Sequence, residues 1–140
     1  MEAYLPLLLV VIGWLVVNSQ HNRRETRKEG RALIDAAKKL VQEIAKNAVA
    51  YHCDGKDDVA FDIKASLEAL EIELERTPHF FKVSPLMYKF VKFSEAVTGG
   101  QFESASREKL PVTAPLILDI LRSRNVLLSE LERQFKVHYL

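Results

Sequence analysis

The stretch Tyr4 to Val17, YLPLLLVVIGWLVV, contains no charged side chain and no strongly polar one. Few folds can absorb such a run. Its fourteen residues make a helix about 21 Å long at about 1.5 Å per residue, against a hydrocarbon core of about 30 Å. The run is short for a spanning helix. Met1 and Ala3 extend it on one side, Asn18 to Gln20 reach the other interface, and tilt or local thinning takes up the rest at modest cost. Ten of the residues are Leu, Ile or Val, and at about −0.3 to −0.6 kcal/mol each their insertion free energy sums to roughly −3 to −6 kcal/mol. Pro6 falls in the first turn, where its missing N–H costs little, and Gly13 is tolerated in lipid. Residues 1–20 are therefore expected to form a single transmembrane anchor.

Two other readings compete. A cleaved signal peptide suits the length, but Glu2 precedes the run, no Lys or Arg does, and VVNSQHN after it offers no small-x-small cleavage site. A buried core helix would show a polar face, and this stretch has none.

Orientation follows from charge. Residues 21–31, HNRRETRKEGR, carry five positive and two negative side chains. Positive residues stay on the cytoplasmic side, so the short N-terminus is expected outside the cell membrane and the remainder in the cytoplasm. Arg23, Arg24, Arg27, Lys28 and Arg31 form a basic collar expected to contact the membrane surface, each drawn to anionic head groups by about 1 kcal/mol.

The residues beyond the collar, 32–140, suit one domain. Charged residues make up 28% and apolar residues 48% of the chain, which is not a disordered composition. A net charge of +1 argues against nucleic acid as a partner, and the single cysteine, Cys53, fits a reducing compartment. The expected fold is all-α, with the anchor followed by a small soluble bundle of about four helices.

Along the chain, residues 19–52 read as one helix continuing from the anchor. Leu33, Ala37, Leu40, Ile44, Ala48 and Tyr51 share its apolar face, and Gly30 is its weak point and the expected place for a kink. HCDGKDD, residues 52–58, is a turn in which Asp57 or Asp58 can cap the next helix. That helix, residues 58–76, buries Ala60, Ile63, Leu67, Leu70 and Leu74. From Asp54 to Arg76 there are eight acids and three bases, so it is expected to lie antiparallel to the more basic first helix. Thr77-Pro78 ends it. Ser84-Pro85 opens a third helix with Leu86, Phe90, Phe93 and Val97 on one face, and Gly99-Gly100 stops it. Residues 101–112 read as a polar linker. Thr113-Ala114-Pro115 opens a last helix, whose face comprises Ile117, Ile120 or Leu121, Leu127 or Leu128, Leu131 and Phe135.

Aromatics and lysines concentrate around the third helix. Phe80, Phe81, Lys82, Lys89 and Lys92 are candidates for interfacial contact, with lysines snorkelling to phosphates; packing into the core is the competing reading.

No phosphate loop, nucleophile elbow or metal-ligand spacing is present. His21, His52, His79 and His138 are scattered, and Cys53 has no sequence-adjacent activating base. No catalytic residue, cofactor, metal or small-molecule substrate is expected. Expected partners are membrane lipids and either a protein or further copies of the chain. The functional expectation is a single-pass protein acting as an interaction, scaffolding or regulatory module at the cytoplasmic membrane face. The alternative is a membrane-perturbing effector of toxin or defence type that oligomerises through its anchor.

Overall fold

The computed structural model describes residues 4–77 and 83–139. They form four helices and no strand: α1 (Leu5–Asp54), α2 (Val59–Glu75), α3 (Val83–Val97) and α4 (Pro115–Tyr139). The segment expected as an anchor and the first bundle helix are one uninterrupted helix of 50 residues, about 75 Å long.

The bundle is a ring. α1 packs on α2 and α4, and α3 packs on α4 and α2, while α1 and α3 barely meet across the centre. Arg27 and Gly30 of α1 lie beside Tyr139 at the end of α4, and His52 near the end of α1 holds Leu110 just before α4 starts. α1 and α4 therefore run antiparallel. Lys89 of α3 reaches Glu130 of α4.

The apolar periodicities account for the core. α2 buries Ile63, Leu67, Leu70 and Leu74, and α4 buries Ile117, Ile120, Leu127, Leu131 and Phe135. On α3 the buried residues are Leu86, Phe90, Phe93 and Val97, so the aromatics of this helix that share its predicted face pack into the core. On α1 the buried stripe is Gly30, Ile34, Ala37, Val41, Ile44, Ala45, Ala48, Tyr51 and His52. It is centred one residue further round than expected: Ile34 and Val41 point inward, while Leu33 and Leu40 are only partly buried. α1 serves two neighbours, α2 and α4, and its inward face points between them.

Gly30 interrupts nothing, and α1 runs through it. Its role is close approach. A Cβ here would stand 2.6 Å from the Tyr139 ring. That ring is the far end of a side chain at the last described residue of α4, so it can swing aside. Gly30→Ala is expected to change stability by less than about 1 kcal/mol, because a helix-propensity gain of about that size offsets the displaced ring. Thermal unfolding followed by circular dichroism measures this.

The segment between α3 and α4, expected as a polar linker, is instead a strap across the far end of the bundle. Tyr51 organises it. Its ring packs against Phe102 at 4.9 Å between centroids, the Arg107 guanidinium lies 3.7 Å from the same ring, and its hydroxyl accepts the Glu103 N–H at 2.7 Å. Glu103 is held in the left-handed region at φ 64°, and its carboxylate meets Lys64 at 2.6 Å. The His52 Nε2–H donates to the Val97 carbonyl at 3.0 Å. Asp57, expected as a helix cap, gives its carboxylate to Arg107 instead, and Asp58 at the N-cap makes no side-chain capping bond. Tyr51→Phe removes only the acceptor for Glu103. It should destabilise the protein by about 1 kcal/mol, read by urea denaturation, and speed amide exchange at Glu103 first.

Candidate membrane-contact surface

The 25 residues of α1 from Gly30 to Asp54 match the 25 residues of α4 in number, so the bundle uses only half of α1. The other half, Leu5 to Glu29, protrudes with every residue exposed. Its outer part is the apolar run. Leu5, Leu7, Leu8, Leu9, Val10, Val11, Ile12, Trp14, Leu15, Val16 and Val17 are all open to solvent, on every side of the helix. Water penalises each exposed apolar square ångström by about 25 cal/mol, and monomeric soluble proteins rarely show a contiguous apolar patch of this kind. By length and composition α1, of which this run is the outer part, is long and apolar enough to cross a membrane.

The basic collar follows, and the structure divides it. Arg31 faces the bundle. It forms a two-pronged pair with Glu132 of α4 at 3.0 and 2.8 Å, bonds Asp35 at 2.9 Å, and lies 4.4 Å from the Phe135 ring. Lys38 adds a second contact to Glu132 at 3.2 Å. The hydrogen bonds from Arg31 hold the Glu132 carboxyl down at about 2. Arg31 thus clamps α1 to α4. Arg27 donates to the Tyr139 carbonyl at 2.7 Å. Lys28 meets Glu25 at 3.4 Å, an exposed pair of little energetic weight. Arg23 and Arg24 pair with no carboxylate among the described residues.

Between the protruding half of α1 and the end of α4 lies a groove of about 700 Å³. Leu15 sits at its outer end. Asn18, Ser19, Asn22, Arg23 and Arg27 line the α1 side, and His138 and Tyr139 close it from α4. His138, one of the scattered histidines of the sequence, is thereby placed beside the collar.

The expected interfacial residues separate too. Lys89 pairs with Glu130 at 3.0 Å, and Lys92 meets Glu95 at 3.4 Å and lies 5.7 Å from the Tyr88 ring. Phe80, Phe81 and Lys82 lie outside the described residues.

Sequence periodicity did not single out one polar cluster. Glu130, its side chain only 2% exposed, takes hydrogen bonds from Arg133 at 2.6 and 2.9 Å, Gln134 at 2.8 Å and Lys89 at 3.0 Å. The Arg133 hydrogen bonds do most to lower its pKa to about 2, against the opposing effect of burial. This is a structural knot between α3 and α4, with Lys89 and Arg133 reaching toward solvent and Gln134 buried. Cys53 is partly buried against the core, and burial, with the negative charge of Asp54, pushes its thiol up, opposite to what a nucleophile needs. Among the described residues no three His, Cys, Asp or Glu side chains gather closely enough to hold a metal ion. No family model matches the chain, and neither does any curated protein or solved structure.

Proposed function

We propose that this chain is a single-pass membrane protein whose helical bundle works as an interaction or scaffolding module at the cytoplasmic membrane face. One observation carries the reading: the apolar segment Leu5 to Val17 is exposed all round its helix while the bundle closes its core without it. A segment so placed is stabilised by lipid, and a bundle tethered by it is concentrated at the membrane, which raises its occupancy by partners there. The basic collar beside the apolar run sets the orientation by its excess of positive charge.

The outer side of α2 supports the interaction role. Phe61, Ala65, Glu68 and Ile72 lie at helical spacing on one exposed stripe, flanked by Asp62 and Glu71. Two apolar anchors within acidic surroundings suit a basic, amphipathic partner surface.

The test is extraction and topology in intact membranes. The full-length chain should stay in the pellet after alkaline carbonate, and a protease added from the cytoplasmic side should cut within residues 32–140. Recovery in the carbonate supernatant would overturn the membrane reading, and protection of the bundle from cytoplasmic protease would overturn the orientation. A photo-crosslinker at position 61 should capture a discrete partner band that a crosslinker at Gln42, on the exposed part of α1, does not. Identical, diffuse labelling from both positions would remove the interaction role.

A further inference from the structure

We propose that the groove between α1 and the end of α4 is a binding site for the phosphate of an anionic phospholipid drawn from the surrounding leaflet. The proposal rests on the membrane reading above and adds a defined ligand site to it.

The register of α1 gives the first argument. Leu15, Ser19, Asn22, Thr26, Gly30, Ile34, Ala37 and Val41 succeed one another at spacings of three and four. They form one stripe. From Gly30 onward this stripe is the buried face of α1. Below Gly30 it turns polar and lines the groove, with His138 and Tyr139 of α4 on the opposite side. The groove thus continues the inward stripe of a bundle helix, with Ser19, Asn22 and Thr26 where apolar residues stand further along and Arg23 and Arg27 beside them.

The second argument is charge. Arg23 lines the groove and pairs with no carboxylate among the described residues. Arg27 lines it too, tethered through one nitrogen to the Tyr139 carbonyl, so its guanidinium is held in place with further N–H groups to give. No Asp or Glu lines the groove. Planar guanidinium groups one helical turn apart, with Asn18 and Asn22 beside them, match the oxygens of a phosphodiester.

The third argument is depth. A hydrocarbon core of about 30 Å needs about 20 helical residues, and the apolar run has fourteen. Counted from Tyr4, a helix standing upright leaves Asn18 to Arg23 at the hydrocarbon edge. The leaflet must thin beside them, which brings lipid phosphates down to the groove while Leu15 stays among acyl chains. Free phosphate shares the chemistry but has no acyl chain to occupy the Leu15 end.

Trp14 is the only tryptophan and lies next to Leu15, so its quenching by brominated lipid reports the lipid at this level. The full chain is reconstituted in phosphatidylcholine vesicles containing increasing fractions of brominated phosphatidylglycerol or, separately, brominated phosphatidylcholine. For the natural sequence, brominated phosphatidylglycerol should reach half-maximal quenching at a much lower mole fraction than brominated phosphatidylcholine. Arg24→Gln removes the same charge from outside the groove and should weaken this preference about fivefold, the loss of general surface attraction. Arg23→Gln should weaken it at least tenfold further, because a charge-assisted hydrogen bond to the phosphate goes as well. Excess inorganic phosphate should leave the curve unchanged. Equal losses in the two variants, or no preference for phosphatidylglycerol in the natural sequence, would overturn the site while leaving the anchor intact. Displacement by inorganic phosphate would reassign it to a soluble anion. Absence of quenching by either brominated lipid would show that the segment is not in the bilayer and would overturn the membrane reading itself.

Discussion

Glu130→Ala should lower the stability of the bundle by about 3 kcal/mol at neutral pH and flatten its loss of stability in acid. The size follows from the environment. Glu130 is almost fully buried and its carboxyl sits near 2 rather than at the usual 4.5. A folded-state pKa below the unfolded one means that the unfolded chain takes up the proton first as pH falls. The stabilisation is complete above about 4.5 and disappears as pH drops toward about 2, and at about 1.4 kcal/mol per pH unit that interval amounts to roughly 3 kcal/mol. Removing one member of a buried pair typically costs 3–5 kcal/mol, because the other charge is left stranded. Here Lys89 is 32% and Arg133 50% exposed, so both can turn to water, and about 3 is the better figure. Gln134, 1% exposed, loses the Glu130 contact. Urea denaturation in mild detergent across this pH range should show the natural chain losing stability steeply between about 4.5 and 2. Glu130→Ala should start lower and keep only the part of the slope contributed by Glu132, whose carboxyl is also held near 2. Parallel curves for the two proteins would mean that the lowered carboxyl is not at Glu130.

Glu130 also marks where sequence reasoning stopped. The apolar stripe of α4 is centred on Leu131, and at about 100° per residue Glu130 falls at the stripe's edge. Nothing local distinguishes a glutamate at an edge facing water from one facing a lysine on another helix. What buries Glu130 is the approach of α3, carrying Lys89, and that is a tertiary fact. The same reason explains the strap. Residues 101–112 look like a solvated linker because Phe102 and Arg107 have no period, yet the Tyr51 ring at the end of α1 collects both. By contrast, the stripe of α3 was legible to the residue and that of α2 nearly so, with Ala60 at its start only partly buried, since each of these short helices has one dominant inward face. α1 was legible in extent but was misread by one position, because its inward face is shared between α2 and α4. In the collar, sequence gave the charge and not its distribution: Arg31 and Arg24 are indistinguishable in the string HNRRETRKEGR, and only the placement of Glu132 commits Arg31 to the bundle.

The apolar run of α1 is the part most fully written in the sequence, and on the proposed membrane reading a single substitution there should have the largest effect on where the protein resides. Leu9 lies near the middle of the apolar run and is exposed on the protruding half of α1. Leu9→Arg replaces a contribution of about −0.5 kcal/mol with one of about +3 kcal/mol at the membrane centre. The change of about 3.5 kcal/mol offsets most or all of the roughly −3 to −6 kcal/mol expected for inserting the run. The partition between membrane and water should shift toward water by two orders of magnitude or more. The bundle itself should be untouched, because its core begins at Ile34 and draws nothing from residues 5–29. Carbonate extraction should move Leu9→Arg into the supernatant, while its helical circular dichroism and urea midpoint stay those of the natural chain. Asn18→Arg, at the interface where a long cation snorkels, should stay in the pellet and serve as the control for added charge. A lowered urea midpoint for Leu9→Arg would mean that the apolar run is structural, a core helix awaiting a protein partner. An unchanged midpoint with Leu9→Arg still in the pellet would mean that something other than the run holds the protein at the membrane, and the basic collar with its groove would be the first place to look.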